Sequence, residues 1–252
     1  MKTRTQATIL AMLIALFSLT LTNTFAQLRT PSSIGEHLKG IVTLESGEEI
    51  EGFIYFDMIN PQLFQKRVLL VTDEANATFS EWEEAKKNQV KYDANDVKSF
   101  TLENGKKFIR AKYSNLFAKK KRDKIPQNLL LEAVTEGKIT VFKKYHHTQG
   151  IVSSNLPNRS KVTDAEYAEW QENNFEILVQ KEGEEPVNLS TINIKKLVGD
   201  KRAVLMNYAK DVYGFRTQFT KGPVFESSFQ TDALEALVRM VEDYNNEETS
   251  AP

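Results

Sequence analysis

Residues 40–54, with the sequence GIVTLESGEEIEGFI, decide the fold of the chain. Gly40 to Glu45 is a short run of β-branched and apolar residues, and Ile50 to Phe56 is a second run that also contains aromatic residues. Ser46-Gly47-Glu48 separates the two runs, and Gly47 can adopt the positive φ of a tight turn. The stretch predicts a β-hairpin. Gly52 within the returning strand predicts a bulge or a tight bend.

Two further hairpins follow the same logic. Val97 to Leu102 and Lys107 to Tyr113 are joined at Asn104-Gly105, a strong turn signal. Leu129 to Val134 and Lys138 to Tyr145 flank Glu136-Gly137. Runs of predicted strands therefore precede most of the predicted helices, an order that favours an α+β fold with antiparallel sheets over a parallel βαβ sheet.

Helix signals are concentrated in the second half of the chain. Thr163 to Glu166 has the pattern of a capping box and predicts a short helix through Trp170. Near the end of the chain, apolar residues recur at helical spacing and predict a helix packed on the sheet; they are Leu234, Leu237, Val238, Val241 and Tyr244. Asp232 is the expected N-cap of this last helix.

The expected organisation has four parts. Residues 1–26 are a signal peptide, residues 27–125 a β-rich segment whose first hairpin is curled or small-barrel-like, residues 126–246 a second β segment with C-terminal helices, and residues 247–252 a flexible tail. The fold class is thus α+β, with antiparallel hairpins in two segments and helices at the C-terminal end.

Composition narrows the possible functions. The 252 residues include 33 basic and 34 acidic side chains, so no general positive field attracts nucleic acid. The chain has no cysteine, which excludes disulfides, thiolate catalysis and Cys-based metal sites.

The first residues have the pattern of a secretory signal. Lys2 and Arg4 precede an almost entirely apolar stretch from Ile9 to Leu21, and Thr24 and Ala26 are the small residues of a cleavage site after Ala26. The apolar stretch is shorter than the roughly 20 residues of a membrane span. The sequence predicts a protein exported to the periplasm or the exterior, with no transmembrane span in the mature chain.

The chain resembles a family of uncharacterised secreted proteins from Bacteroidota. The resemblance rests on short motifs: the first hairpin with its glycines, an Asp-hydrophobic-x-x-aromatic segment, a Leu-rich hairpin and a terminal Tyr-Asn. In this chain these are residues 40–54, Asp96 with Val97 and Phe100, the hairpin around Gly137, and Tyr244-Asn245. Where the family has Asp-Thr after the first turn, this chain has Glu48-Glu49. The resemblance implies export and architecture and carries no activity.

The first hairpin also resembles the first motif of Sm-like RNA-binding barrels. The matching residues are Val42, Leu44, Gly47, Gly52, Ile54 and Asp57. The second Sm motif requires Ile-Arg-Gly, and this chain has Ile109-Arg110-Ala111. The physical content of the match is a sharply bent hairpin, which needs no RNA, so no nucleic-acid partner is predicted.

Candidate catalytic and metal-binding residues are few. His146 and His147 are adjacent, and neighbouring residues on a strand point to opposite faces, so a shared metal is not favoured. The chain lacks a G-x-S-x-G nucleophile elbow and a phosphate-binding G-x-x-x-x-G-K-[ST] loop. No catalytic residue, metal or cofactor is therefore assigned. A pair of carboxylates for glycan hydrolysis stays an alternative, because such a pair is defined in space and not by spacing in the sequence.

One basic run is a candidate binding surface. Lys119, Lys120, Lys121 and Arg122 follow one another, and the alternatives are contact with an anionic surface or a solvated loop. Taken together, the sequence predicts a non-catalytic binding or scaffolding protein of the cell envelope, with an envelope protein or a polysaccharide as partner. The alternative is a glycan-directed hydrolase that uses a carboxylate pair.

Overall fold

The structure is a computed structural model. It describes residues 35–72, 88–114, 124–145, 162–193, 197–199 and 226–249. The basic run Lys119 to Arg122, the pair His146-His147 and the leader 1–26 lie outside these ranges.

The described residues form ten strands. They are β1 (Glu36–Leu44), β2 (Glu49–Phe56), β3 (Arg67–Val71), β4 (Val90–Asp93), β5 (Val97–Leu102), β6 (Lys107–Tyr113), β7 (Gln127–Thr135), β8 (Ile139–Tyr145), β9 (Phe175–Lys181) and β10 (Val187–Asn188). Three α-helices accompany them: α1 (Gln62–Lys66), α2 (Asp164–Asn173) and α3 (Glu226–Thr249).

All ten strands belong to one antiparallel sheet, in the order β10-β9-β8-β7-β6-β5-β1-β2-β3-β4. The expected β-rich α+β fold is confirmed, but the expected division of the sheet into two hairpin segments is wrong. The reason is that β6 and β7 pair along seven residues, from Lys107↔Ala133 to Tyr113↔Gln127, and so join the two expected segments. The helices are only partly at the C-terminal end, because α1 and α2 interrupt the strands.

Glycines let the first hairpin pack closely against its neighbours. Gly40 and Gly52 lie directly opposite each other on β1 and β2. A Cβ atom on Gly40 would lie 2.5 Å from the carbonyl oxygen of Thr101 in β5, and one on Gly52 would lie 2.7 Å from that of Val71 in β3. The register between β1 and β2 is continuous through Gly52, so of the two expected alternatives, a bulge or a tight bend, the bulge is absent from this pairing.

The inner face of the sheet, defined as the face that packs against the three helices, carries the main core. Phe56, Phe64 and Phe108 are in mutual ring contact at the centre, with centroids 4.3–5.7 Å apart. The predicted apolar stripe of α3 is confirmed, since Leu234, Leu237, Val241 and Tyr244 are buried and Val238 packs against the same core. This helix begins at Glu226, before the expected cap at Asp232.

The end of α3 is fixed to the turn between β7 and β8. Asn245 Nδ2 donates to the carbonyl oxygens of Glu136 (3.3 Å) and Ile139 (3.0 Å), and Asn245 Oδ1 accepts from the Ile139 N–H (3.1 Å). Gly137 has φ +151°, and a Cβ there would lie 2.6 Å from Asn245 Cγ. The terminal Tyr-Asn and the hairpin glycine, two separate motifs in the sequence, therefore meet in space.

Among the helices that the structure describes, none combines the length and apolar character needed to cross a membrane.

Candidate functional site

Five ionisable side chains meet on the inner face of the sheet, beneath α2. This group, called the buried polar cluster below, consists of Lys106, Glu132, Lys143, Tyr145 and Glu172. Lys106 directly precedes β6, Glu132 lies on β7, Lys143 and Tyr145 lie on β8, and Glu172 lies on α2.

The strands place these side chains through their alternation. On β8, Val141, Lys143 and Tyr145 point to the inner face, whereas Phe142 and Lys144 point to the outer face. Glu132 and Lys143 are direct partners across β7 and β8. The sheet thus brings opposite charges together without any loop.

The helix α2 supplies the second carboxylate. Its capping box is confirmed: Thr163 Oγ1 accepts from the Glu166 N–H at 3.2 Å, and Glu166 Oε2 accepts from the Thr163 N–H at 2.7 Å. The helix continues past Trp170 to Asn173, and this last turn contains Glu172. A helix that ended at Trp170, as expected, would leave the cluster without its second acid.

Glu132 is the centre of the cluster. Its Oε2 accepts from the Tyr145 hydroxyl and lies 3.7 Å from Lys106 Nζ, and its Oε1 lies 3.6 Å from Lys143 Nζ. Lys106 Nζ also donates to Glu172 Oε1. Two ammonium groups therefore face two carboxylates, and the formal charge of the cluster is zero.

Aromatic rings line the cluster. Lys106 Nζ lies 6.0 Å from the ring centroids of both Phe56 and Tyr145, and Lys143 Nζ lies 4.9 Å from that of Phe175. An ammonium group near a ring face is attracted by the negative π cloud. The rings therefore add an attractive contact to each of the two ammonium groups.

Tyr145 is held by its backbone as well as by its hydroxyl. Its N–H donates to Gln65 Oε1 at 3.0 Å, and Gln65 Nε2 donates to its carbonyl oxygen at 2.9 Å. Gln65 belongs to α1, which precedes β3 in the chain. This reciprocal pair joins the beginning of the sheet to its later half, next to the cluster.

The pKa values of the cluster follow from burial and pairing. Burial by itself would raise the pKa of Glu132, but the charges of Lys106 and Lys143 and the hydrogen bond from Tyr145 outweigh it and hold the pKa below its usual range. Burial would lower the pKa of Lys106, and Glu132 and Glu172 together raise it instead. Burial and the charge of Glu132 raise the pKa of the Tyr145 hydroxyl. Glu132 is therefore held as a carboxylate and Lys106 as an ammonium group near neutral pH.

Gln171 adds a buried amide next to Glu172. Its side chain is fully buried, and neither Nε2 nor Oε1 has a hydrogen-bond partner among the residues that the structure describes. Buried amides are normally hydrogen-bonded, and an unsatisfied one costs about 1–3 kcal/mol. Gln171 is thus a destabilising polar residue on the buried side of α2.

A second polar network lies on the outer face. Glu176 on β9 accepts from the Tyr113 hydroxyl at 2.9 Å and from Lys144 Nζ at 2.8 Å. Lys144 Nζ lies 5.2 Å from the Tyr113 ring centroid. Burial, together with the charge of Glu176, raises the pKa of Tyr113. Both faces of the later strands therefore hold a tyrosine, a glutamate and a lysine in contact.

In the described ranges, no group of three or more His, Asp or Glu side chains is placed to hold a metal ion. His37, the one histidine that the structure describes, contacts the ring of Tyr55 at 5.4 Å, and burial lowers its pKa.

Sequence reasoning left the carboxylates unassigned, and the structure brings together two of the many acids, Glu132 and Glu172. A signal for Glu132 existed in the sequence. It lies two residues after Leu130 in a Leu-rich strand, and residues two apart share a face, so the alternation could have predicted an inward-facing charge. Glu172 had no such signal, because its position depends on how α2 packs.

Comparison of the chain with protein-family models, with curated proteins and with solved structures found no match.

Proposed function

We propose that this protein is a non-catalytic binding or scaffolding protein of the cell envelope. The observation that supports this role is the state of its buried polar cluster. Each carboxylate there faces an ammonium group, and the pKa of Glu132 lies below its usual range. A general acid for glycan hydrolysis needs a raised pKa, because it must be protonated near neutral pH. The pKa of Glu132 is shifted in the opposite direction, and we propose that the ion pairs of the cluster stabilise the junction of the sheet and α2.

The location in the envelope comes from the sequence. The charged start, the apolar stretch Ile9 to Leu21 and the small residues Thr24 and Ala26 support export and cleavage after Ala26. In that compartment the partner classes are an envelope protein or a polysaccharide.

The outer face of the first hairpin supports a binding role. His37 and Lys39 on β1 and Phe53 and Tyr55 on β2 lie on this face and are partly or fully exposed to solvent. Ile41, on the same face, is 44% exposed. Partly exposed aromatic side chains on a sheet offer flat contacts for sugar rings or for protein side chains.

Binding and hydrolysis can be separated in one assay. The full chain, expressed with its leader so that processing is retained, is incubated with insoluble envelope polysaccharide. The fraction that sediments and the release of reducing ends are both measured. The proposed role predicts sedimentation above an albumin control without release of reducing ends. Release of reducing ends would contradict it.

A hydrolase is the second candidate, and one observation favours it. Glu132 and Glu172 both contact Lys106, so two carboxylates converge on one side of the sheet. If they are catalytic, Glu172→Gln abolishes reducing-end release, whereas Glu182→Gln, the same change on an exposed residue of the β9–β10 turn, leaves it unchanged. Melting curves of both variants establish that each is folded.

The basic run provides a separate contact in the proposed role. Lys119, Lys120, Lys121 and Arg122 are proposed to contact anionic surfaces, such as lipid phosphates or acidic polysaccharide. Retention on anionic liposomes at low salt should fall when all four become Ser. Equal retention of this variant would exclude the contact.

A further inference from the structure

The strand β4 forms one edge of the sheet in the described part of the chain, and its exposed groups have a defined direction. The Ala94 N–H donates to the Lys66 carbonyl oxygen at 2.9 Å. Backbone groups of an antiparallel strand alternate in direction. Val90, Tyr92 and Ala94 therefore point their backbone groups toward β3, whereas the backbone groups of Lys91 and the N–H of Asp93 point away from the sheet.

The side chains of this edge are solvent-exposed. Val90 is 47% exposed, and the side chains of Lys91 and Asp93 are 48% and 54% exposed. Lys91 and Asp93 lie on the same face of the strand, with Lys91 Nζ 3.3 Å from Asp93 Oδ1. Val90 alternates with them and points to the inner face, as does Tyr92, which packs against the core.

We propose that β4 pairs with β4 of a second copy of this chain, antiparallel about a two-fold axis at Tyr92. In this register Lys91 of each copy lies opposite Asp93 of the other. The Asp93 N–H and the Lys91 carbonyl oxygen both point outward, so each opposed pair can form the backbone hydrogen bond between them. The Asp93 carbonyl oxygen already accepts from the Asp96 N–H of its own chain at 2.9 Å. A two-fold interface repeats each contact, so both Lys–Asp pairs form together.

Charge selects this register over its neighbours. A shift of the strand that keeps the backbone groups facing each other places Lys91 opposite Lys91, or Asp93 opposite Asp93. Like charges directly opposite one another destabilise a strand pair, and opposite charges stabilise it. A lysine alone protects an edge from pairing. Lysine followed two residues later by aspartate is instead complementary to itself.

The interface also extends the inner face. Val90 comes to lie opposite Ala94 of the second copy, but Ala94 is buried in the core of its own chain, so this pair adds little apolar contact. The contact is short, and the association is therefore weak and salt-dependent. It does not depend on the proposed envelope role.

The test is a charge swap measured by sedimentation equilibrium of the full chain over a wide concentration range at low salt. The unmodified protein should show a concentration-dependent dimer. Lys91→Asp and Asp93→Lys each place like charges opposite one another and should weaken the dimer at least tenfold. An equimolar mixture of the two variants restores opposite charges at both positions and should regain the dimer.

Lys98→Asp is the matched control, because it makes the same charge change at an exposed position on β5, inside the sheet. It should leave the dimer unchanged. The proposal is overturned if the unmodified chain is monomeric at every concentration, as it would be if β4 pairs only with a different protein. It is also overturned if both single variants dimerise like the unmodified chain, or if their mixture does not recover association.

Discussion

A Lys–Glu ion pair lies in opposite environments on the early strands, β1 and β2, and on the late strands, β7 and β8. On β1 and β2, Lys39 Nζ lies 3.0 Å from Glu51 Oε1 on the outer face, and the two side chains are 56% and 65% exposed. On β7 and β8, Glu132 and Lys143 form a pair on the inner face, with side chains only 9% and 7% exposed. Water screens the first pair, whereas only protein groups compensate the charges of the second. A Lys–Glu pair therefore contributes to solubility on β1 and β2, whereas on β7 and β8 it fixes the positions of the buried side chains.

The two regions also differ in what their faces carry. The outer face of the early strands is partly or fully exposed along β1, from His37 to Ile41. On the late strands, outward-facing apolar residues are buried and form a second core, which includes Leu131, Phe142 and Leu178. A strand that is apolar on both faces can accept an inward charge only where opposite charges surround it. Lys106 and Lys143 meet that condition for Glu132.

The largest expected effect is at Glu132. Replacement by Gln leaves Lys106 and Lys143 with one fewer compensating charge, and breaking a buried pair in this way costs about 3–5 kcal/mol of unfolding free energy. Glu51→Gln on the exposed pair should cost no more than about 0.5 kcal/mol. Urea denaturation of both variants measures the difference. Equal losses would show that the two pairs are not in different environments.

Acid should remove this difference between the regions. In the unfolded chain Glu132 titrates near its ordinary pKa of 4.5, and its folded-state pKa lies lower. The stabilisation from its charge is therefore fully present above the unfolded pKa and is lost as the pH falls through the folded pKa. The difference in unfolding free energy between the unmodified protein and Glu132→Gln should therefore shrink as the pH falls below 4.5. A gap that stays constant in acid would contradict the lowered pKa.

The hairpin turns provide a second contrast. Gly137, in the β7–β8 turn, combines a positive φ with contact to Asn245, whereas Gly47, in the β1–β2 turn, has φ +88° and nothing near its missing Cβ. Gly137→Ala should cost about 2 kcal/mol or more, because backbone strain and displacement of Asn245 add together. Gly47→Ala should cost only about 1 kcal/mol of backbone strain.

Thermal melts of the two glycine variants provide the measurement, and Asn245→Ala separates the two contributions. If the contact between Asn245 and the β7–β8 turn fixes α3, Gly137→Ala should lower the melting temperature less in an Asn245→Ala background than alone, because the steric conflict is gone. Strict additivity of the two changes would mean that α3 is not fixed through this turn.

Local signals in the sequence predicted local structure well. The turn at Gly47, the capping box at Thr163 and the apolar stripe of α3 depend on residues a few positions apart, and the structure has all three. The union of early and late strands depends on pairing of β5 with β1 and of β6 with β7, which no local pattern encodes. The buried polar cluster was missed for the same reason, since Lys106 and Glu172 are separated by 66 positions.

The smallest expected effect is at Gln171, and its sign is informative. If the late region kept buried polar groups for stability, removal of this amide would destabilise the protein. Its Nε2 and Oε1 have no partners in the described part of the chain, so Gln171→Met, which keeps the length and removes the amide, should raise the unfolding free energy by about 1 kcal/mol. Gln65→Met is the matched control: its amide bonds the Tyr145 backbone in both directions, so the same change there should destabilise. Urea denaturation measures both changes. A higher unfolding free energy for Gln171→Met and a lower one for Gln65→Met would show that hydrogen bonding, more than burial, decides how much a polar side chain on this face contributes to stability.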